Sequence, residues 1–120
     1  MKRIEIKDDV IEILKEKKNG FQIYRTAYHI VERLKKKNPT LFKKMCDSYG
    51  AKYGKGAEVH YAMTNFVALA CKYFQKSDKC FKLAWIDTTG VKFFEKQPGW
   101  TGNFVSIWTY KIMDTGDCGN

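Results

Sequence analysis

The sequence predicts an α+β fold, four helices followed by a three-stranded antiparallel sheet, and three observations predict it. Apolar residues recur at the 3.6-residue helical spacing as far as Phe74, broken only where capping or turn residues stand. Beyond Ser77-Asp78-Lys79 the texture changes to alternation with period two, bounded by Thr89-Gly90 and Pro98-Gly99. With 120 residues, 44% apolar and 15% aromatic, the chain has material for one packed core and too little for two. One domain over 1–113 is expected, with 114–120, DTGDCGN, as a flexible tail that has little to pack.

The elements follow in order. Asp8 and Asp9 suit a helix N-terminus, Ile6, Val10, Ile13 and Leu14 line one face, and Asn19-Gly20 supplies a left-handed stop, so a first helix is expected over about 8–18. Phe21 to Tyr24 reads as one short extended segment. Thr26 is a good N-cap for a second helix over 27–37, whose apolar stripe is Ala27, Ile30, Val31 and Leu34. Asn38-Pro39-Thr40 restarts the chain, because proline disfavours helix in the residue before it and fits the first turn of the helix after it. Leu41, Phe42, Met45 and Tyr49 then give a third helix over 39–49.

The segment AKYGKG is a basic connection, after which Val59, Met63, Phe66, Val67, Ala70, Tyr73 and Phe74 share one face of the longest helix, 57–75. Three strands follow, FKLAWIDT, VKFFEK and FVSIWTYKI, joined by hairpins. Phe81, Leu83 and Trp85 alternate along the first, and Phe104, Ser106, Trp108, Tyr110 and Ile112 along the last.

Charge divides the chain unevenly. Residues 1–56 hold 15 Lys/Arg against 7 Asp/Glu, a net of +8, whereas 57–120 hold 7 against 6. A field of that kind speeds association with a polyanion, whether nucleic acid, an acidic protein or an anionic surface. The opening MKRIEIKDDV has neither the apolar run of a signal peptide nor the length of a membrane span, so a soluble cytoplasmic protein is expected. Cys46, Cys71, Cys80 and Cys118 form no CxxC pair and sit at no finger-like distance from a histidine; reduced thiols are expected, with no metal and no cofactor.

The order helix, short extended segment, helix, turn, helix and β-hairpin, with TAYHIVERL (Thr26, Ala27, Ile30, Val31, Leu34) as the first helix of the motif, resembles the winged helix-turn-helix superfamily. The chain departs from that pattern in having two helices, 39–49 and 57–75, where such domains usually have one. The resemblance implies a small DNA-binding regulator with a recognition helix, a wing and double-stranded DNA as partner; a two-fold dimer would suit such a protein.

Placed on the longest helix as the recognition element, Tyr61, Thr64, Asn65, Ala68 and Lys72 fall opposite the apolar face. Asn65 can bond adenine, Thr64 and Tyr61 can reach a phosphate or a thymine methyl, and Lys72 can neutralise a phosphate. Lys35, Lys36, Lys37, Lys43 and Lys44 crowd the junction of the second and third helices, where they would position the duplex without reading it. Lys96 belongs to a candidate wing tip, and Trp100, between Pro-Gly and Thr-Gly, is a candidate interface anchor. The same basic surface also suits a protein-binding adaptor or inhibitor facing an acidic partner, since fold does not fix function. Catalysis has little footing: GxSxG and HExxH are absent, His29 and His60 are the only histidines, and Cys46 or Cys71 with His60 would be a nucleophile and base without a strained turn to present them.

Overall fold

The computed structural model describes residues 1–49, 57–89 and 104–112, the side chains of Tyr49 and of 57–62 excepted. A 3-10 turn, Arg3–Ile6, opens with the Lys2 N–H donating to the Glu5 carboxylate at 2.6 Å and runs straight into α1, Lys7–Lys15. That helix stops at Glu16, before the end expected from the sequence, and the reason lies at Asn19 and Gly20. Both have positive φ, 52° and 81°. Two consecutive left-handed residues make the tight turn whose twist matches a β-hairpin. Asn19-Gly20 therefore joins β1, Lys17–Lys18, to β2, Phe21–Gln22, instead of capping the helix, with Lys17 opposite Gln22 and Lys18 opposite Phe21.

The chain then forms β3, Arg25–Thr26, and passes directly into α2, Ala27–Lys37. Thr26 belongs to both: its backbone pairs across from Ile107, while its hydroxyl accepts the His29 N–H at 3.2 Å. His29 answers, its Nδ1 accepting the Thr26 N–H at 3.2 Å and lying 2.8 Å from the Thr26 hydroxyl. This is a reciprocal capping box with imidazole in the place more often held by Glu or Gln. One residue separates α2 from α3, Pro39–Tyr49. Asn38 serves both, its N–H closing α2 on the Leu34 carbonyl and its Oδ1 accepting the Leu41 N–H at 3.1 Å. The long α4, Ala57–Ser77, packs on α2 and α3 together.

Strands β4, Phe81–Asp87, and β5, Phe104–Tyr110, pair antiparallel from Phe81 opposite Tyr110 to Asp87 opposite Phe104. The other edge of β5 takes β3, with Arg25 opposite Trp108, so the sheet order is β3-β5-β4. Among the described residues the sheet is three-stranded and antiparallel, and one of its strands, β3, comes from before the second helix, where the sequence pattern places none in the sheet. A two-residue strand has no room for an alternating pattern, which is why the sequence reads Arg25–Thr26 only as the approach to a helix. The strand expected at 91–96 and the tail at 114–120 lie outside the described residues.

The core gathers where the helices meet the middle of the sheet. Ile6, Val10, Ile13 and Leu14 lie with Ile30, Val31 and Leu34 of α2, Met45 of α3, and Met63, Val67, Ala70 and Phe74 of α4. Phe81 and Trp108 close the layer from the sheet side. Phe74, Phe81 and Tyr110 form a ring-to-ring chain with centroids 5.5 and 5.0 Å apart. The Tyr110 hydroxyl donates to Asp78 at 2.8 Å, tying the end of β5 to the turn after α4. Burial, then this bond, pushes the Tyr110 pKa up to about 12.

Cys46 and Cys71 are buried, and Cys80 is disulfide-bonded, which departs from the expectation of four reduced thiols. Among the described residues no helix is long and apolar enough to cross a membrane. Because Thr26 caps α2 from inside a strand, Thr26→Ala is expected to lower stability by about 1–2 kcal/mol, the cost of a lost N-cap. Urea unfolding reads this as a lower midpoint at unchanged slope, and Thr26→Ser, which keeps the hydroxyl, recovers most of it.

Candidate nucleic-acid interface

From Arg33 to Lys44 the chain carries six Lys/Arg and no acidic residue. The apolar stripe of α2 turns Leu34 inward, which leaves Lys35 and Lys36 exposed on its last turn. The single-residue joint at Asn38 then brings α3, with Lys43 and Lys44 exposed, immediately beside them. Three of the run's cations are neutralised locally, Arg33 among them by Glu16 at 2.7 Å. Lys44 pairs with Glu5, whose carboxyl this contact holds below its ordinary value, and Lys37 lies 3.9 Å from Glu12 and 3.8 Å from Glu16. Among the described residues Lys35, Lys36 and Lys43 form no ion pair. Lys35 instead holds its ammonium over the Phe42 ring, 5.8 Å from the centroid.

On α4, Asn65 and Lys72 are exposed and fall on one side of the helix with Leu69 and Lys76, at spacings of four, seven and eleven residues. Thr64 does not belong there. It is only 7% exposed, and its hydroxyl has no hydrogen-bond partner among the described residues. A helix flanked by α2 and α3 has a buried arc wider than its apolar residues mark out, and Thr64 falls within it. Ala68 is likewise partly buried against the core. The Tyr61 side chain, Lys96 and Trp100 lie outside the described residues.

Two exposed features escape the sequence pattern. Trp85 and Phe104, 53% and 59% exposed, meet edge to face with centroids 5.4 Å apart, and Lys72 reaches over the Trp85 ring at 5.8 Å. Alternation places Trp85 on the same sheet face as Phe81 and Leu83, but that face outruns the helices that cover its other end. Leu69 and Tyr73, 45% and 50% exposed, add apolar surface on α4, and Arg3 lies 5.1 Å from the centre of the Tyr73 ring. By contrast Trp108 is fully buried, and its indole N–H has no hydrogen-bond partner among the described residues.

The second feature is a charge network around Glu16. Its carboxylate takes Arg33 Nη2 at 2.7 Å and Nε at 3.4 Å, and its backbone carbonyl accepts from Arg25 Nη1 at 3.1 Å. The Arg33 contact, with help from Lys37 and Arg25, holds the Glu16 carboxyl below its ordinary value. No motif signals this network, because its members come from three separate elements. Burial pushes the Cys71 thiol up to about 12, so it stays protonated at neutral pH and is a poor nucleophile. Among the described residues no group of three or more His, Cys, Asp or Glu could hold a metal ion. Comparison of the chain with protein-family models, curated proteins and solved structures finds no match.

Two outcomes follow from these placements. Thr64→Val, which removes a buried hydroxyl without a partner, is expected to raise stability by about 1 kcal/mol in urea unfolding. His29 is held below its ordinary pKa of 6.5, first by desolvation and then by Arg25 and Lys18. The fold therefore favours the neutral ring, and the stability this contributes is present above 6.5 and lost as the pH falls below that value. His29→Gln, which retains an acceptor for the capping box but does not titrate, should flatten that part of a melting-temperature profile against pH.

Proposed function

We propose that this chain is a winged-helix-like protein that binds double-stranded DNA as a small regulator. The observation that carries the reading is the carboxylate-free run from Arg33 to Lys44, which leaves Lys35, Lys36 and Lys43 exposed and unpaired among the described residues at the α2–α3 joint. Surface cations without local partners are the ones whose approach to phosphate releases counterions and favours binding. The connectivity supports the same reading. The short β3 before α2 pairs with β5, and α4 leads into β4, which pairs antiparallel with β5, an order that resembles the winged-helix arrangement with α3 as an added helix. On that arrangement α4 is the recognition element, Asn65 its candidate base-reading residue, Lys72 a phosphate contact, and Lys96 belongs to the wing.

A second reading has its own observation. Exposed Trp85, Phe104, Leu69 and Tyr73 are the kind of aromatic and apolar anchors that mark protein interfaces. An adaptor or inhibitor with this surface would set its lysines against an acidic partner. The two readings part on salt and on Asn65.

Fluorescence anisotropy with a labelled duplex at low salt, about 50 mM, is expected to show binding that weakens linearly in log affinity as log salt rises. Lys36→Gln and Lys43→Gln should each reduce that slope by about 1, and Asn65→Ala should weaken preferred sequences by about 1–3 kcal/mol while leaving random duplex unchanged. No detectable binding at low salt would reject the DNA reading in favour of the protein-binding one.

A further inference from the structure

We infer that the cleft between the β1–β2 hairpin and the first half of α2 is a binding site for a small phosphate monoester. The cleft encloses about 390 Å³ and is lined by Lys17, Lys18, Tyr24, Arg25, His29 and Arg33, together with Ile23, Glu16 and Glu32. That volume lies within the range of small-molecule sites, about 300–1,000 Å³. Of its lining residues only Arg33 also belongs to the run from Arg33 to Lys44, and it is paired with Glu16.

The charges in the cleft do not cancel. Four cations, Lys17, Lys18, Arg25 and Arg33, face two carboxylates, and Glu16 is already shared between Arg33 and Lys37. Glu32 is exposed and pairs with none of the four among the described residues, and Lys17 and Lys18 have no ion pair there either. Desolvation first, then Arg25 and Lys18, lower the His29 pKa, which places the ring within reach of that positive surplus.

The donors are also held in place. Arg25 is fixed by the Glu16 carbonyl at 3.1 Å and Arg33 by the Glu16 carboxylate at 2.7 Å, so each guanidinium keeps N–H groups beyond those bonds in a set orientation. In the capping box His29 Nδ1 accepts the Thr26 N–H, so the neutral ring carries its proton on Nε2 and offers a further donor. Arginine forks together with ammonium groups match a tetrahedral dianion. Tyr24 and Ile23 supply an apolar wall, which suits a phosphate carried on an organic body better than the bare ion.

The test is a thermal-melting and calorimetric titration of the full chain without DNA, using inorganic phosphate, a nucleoside 5′-monophosphate and the unphosphorylated nucleoside, each against chloride at equal ionic strength. The 5′-monophosphate is expected to raise the melting temperature, phosphate to do so more weakly, and the nucleoside not at all. Arg25→Gln should weaken the monophosphate at least about tenfold, the equivalent of one lost charge-assisted hydrogen bond. Since Arg25 also braces Glu16, the exposed Lys18→Gln is a second variant, expected to weaken binding while leaving the unliganded melting temperature unchanged. Lys36→Gln should leave it unaffected. A response to the nucleoside equal to that of the monophosphate overturns the inference. So does a response unchanged in both cleft variants, or one lost in Lys36→Gln, which would move the phosphate to the α2–α3 lysines.

Discussion

The strand β5 must be satisfied along both of its edges, and the rest of the fold is arranged around that requirement. β4 covers one edge along the full length of β5, and two residues, Arg25 and Thr26, cover part of the other. Trp108 stands where all three strands meet, between Leu83 and Arg25, with its side chain fully buried. Its burial fixes the register, because a shift of one residue would turn the indole to the opposite face of the sheet. Since Thr26 is also the cap of α2, that register sets where α2 begins, and the one-residue joint at Asn38 then sets where α3 begins. The positions of Lys35, Lys36 and Lys43 thus trace back to a strand pairing some 70 residues away in sequence.

Much of the helical layer was legible in the sequence, and for a plain reason. Ile30, Val31 and Leu34, or Val67, Ala70 and Phe74, sit at helical spacing and are buried, because a helix covered along one side must place its apolar residues there. The misreadings share a different cause. Asn19-Gly20 carries one composition and two possible meanings, a helix stop or a hairpin turn, and only the pairing of Lys17–Lys18 with Phe21–Gln22 decides between them. Thr64 and Trp85 have the residue types expected of the outer and inner faces and occupy the reverse. Burial there depends on how far a neighbouring element reaches, which periodicity does not encode. The network on Glu16 was illegible because Arg25 of β3 and Arg33 and Lys37 of α2 converge on a residue at the end of α1.

Charge supplies the link from this packing to function. Local pairing with Glu5, Glu12 and Glu16 absorbs Lys44, Lys37 and Arg33, and two groups stand out among the cations that form no ion pair among the described residues. One is the exposed lysine edge at the α2–α3 joint, open enough for a macromolecular polyanion. The other is concave, with Arg25, Lys17 and Lys18 around a cleft of small-molecule size. The apolar surface at Leu69, Trp85 and Phe104 is separate in kind, and it is where a protein partner would leave its mark.

The most direct test of the DNA-binding account is a map of which backbone amides change their NMR shifts as a short duplex is titrated into the labelled protein. The account predicts that the largest changes cluster at Lys35, Lys36, Lys43, Asn65 and Lys72. Changes confined to the sheet around Trp85 and Phe104, or none at low salt, would contradict it.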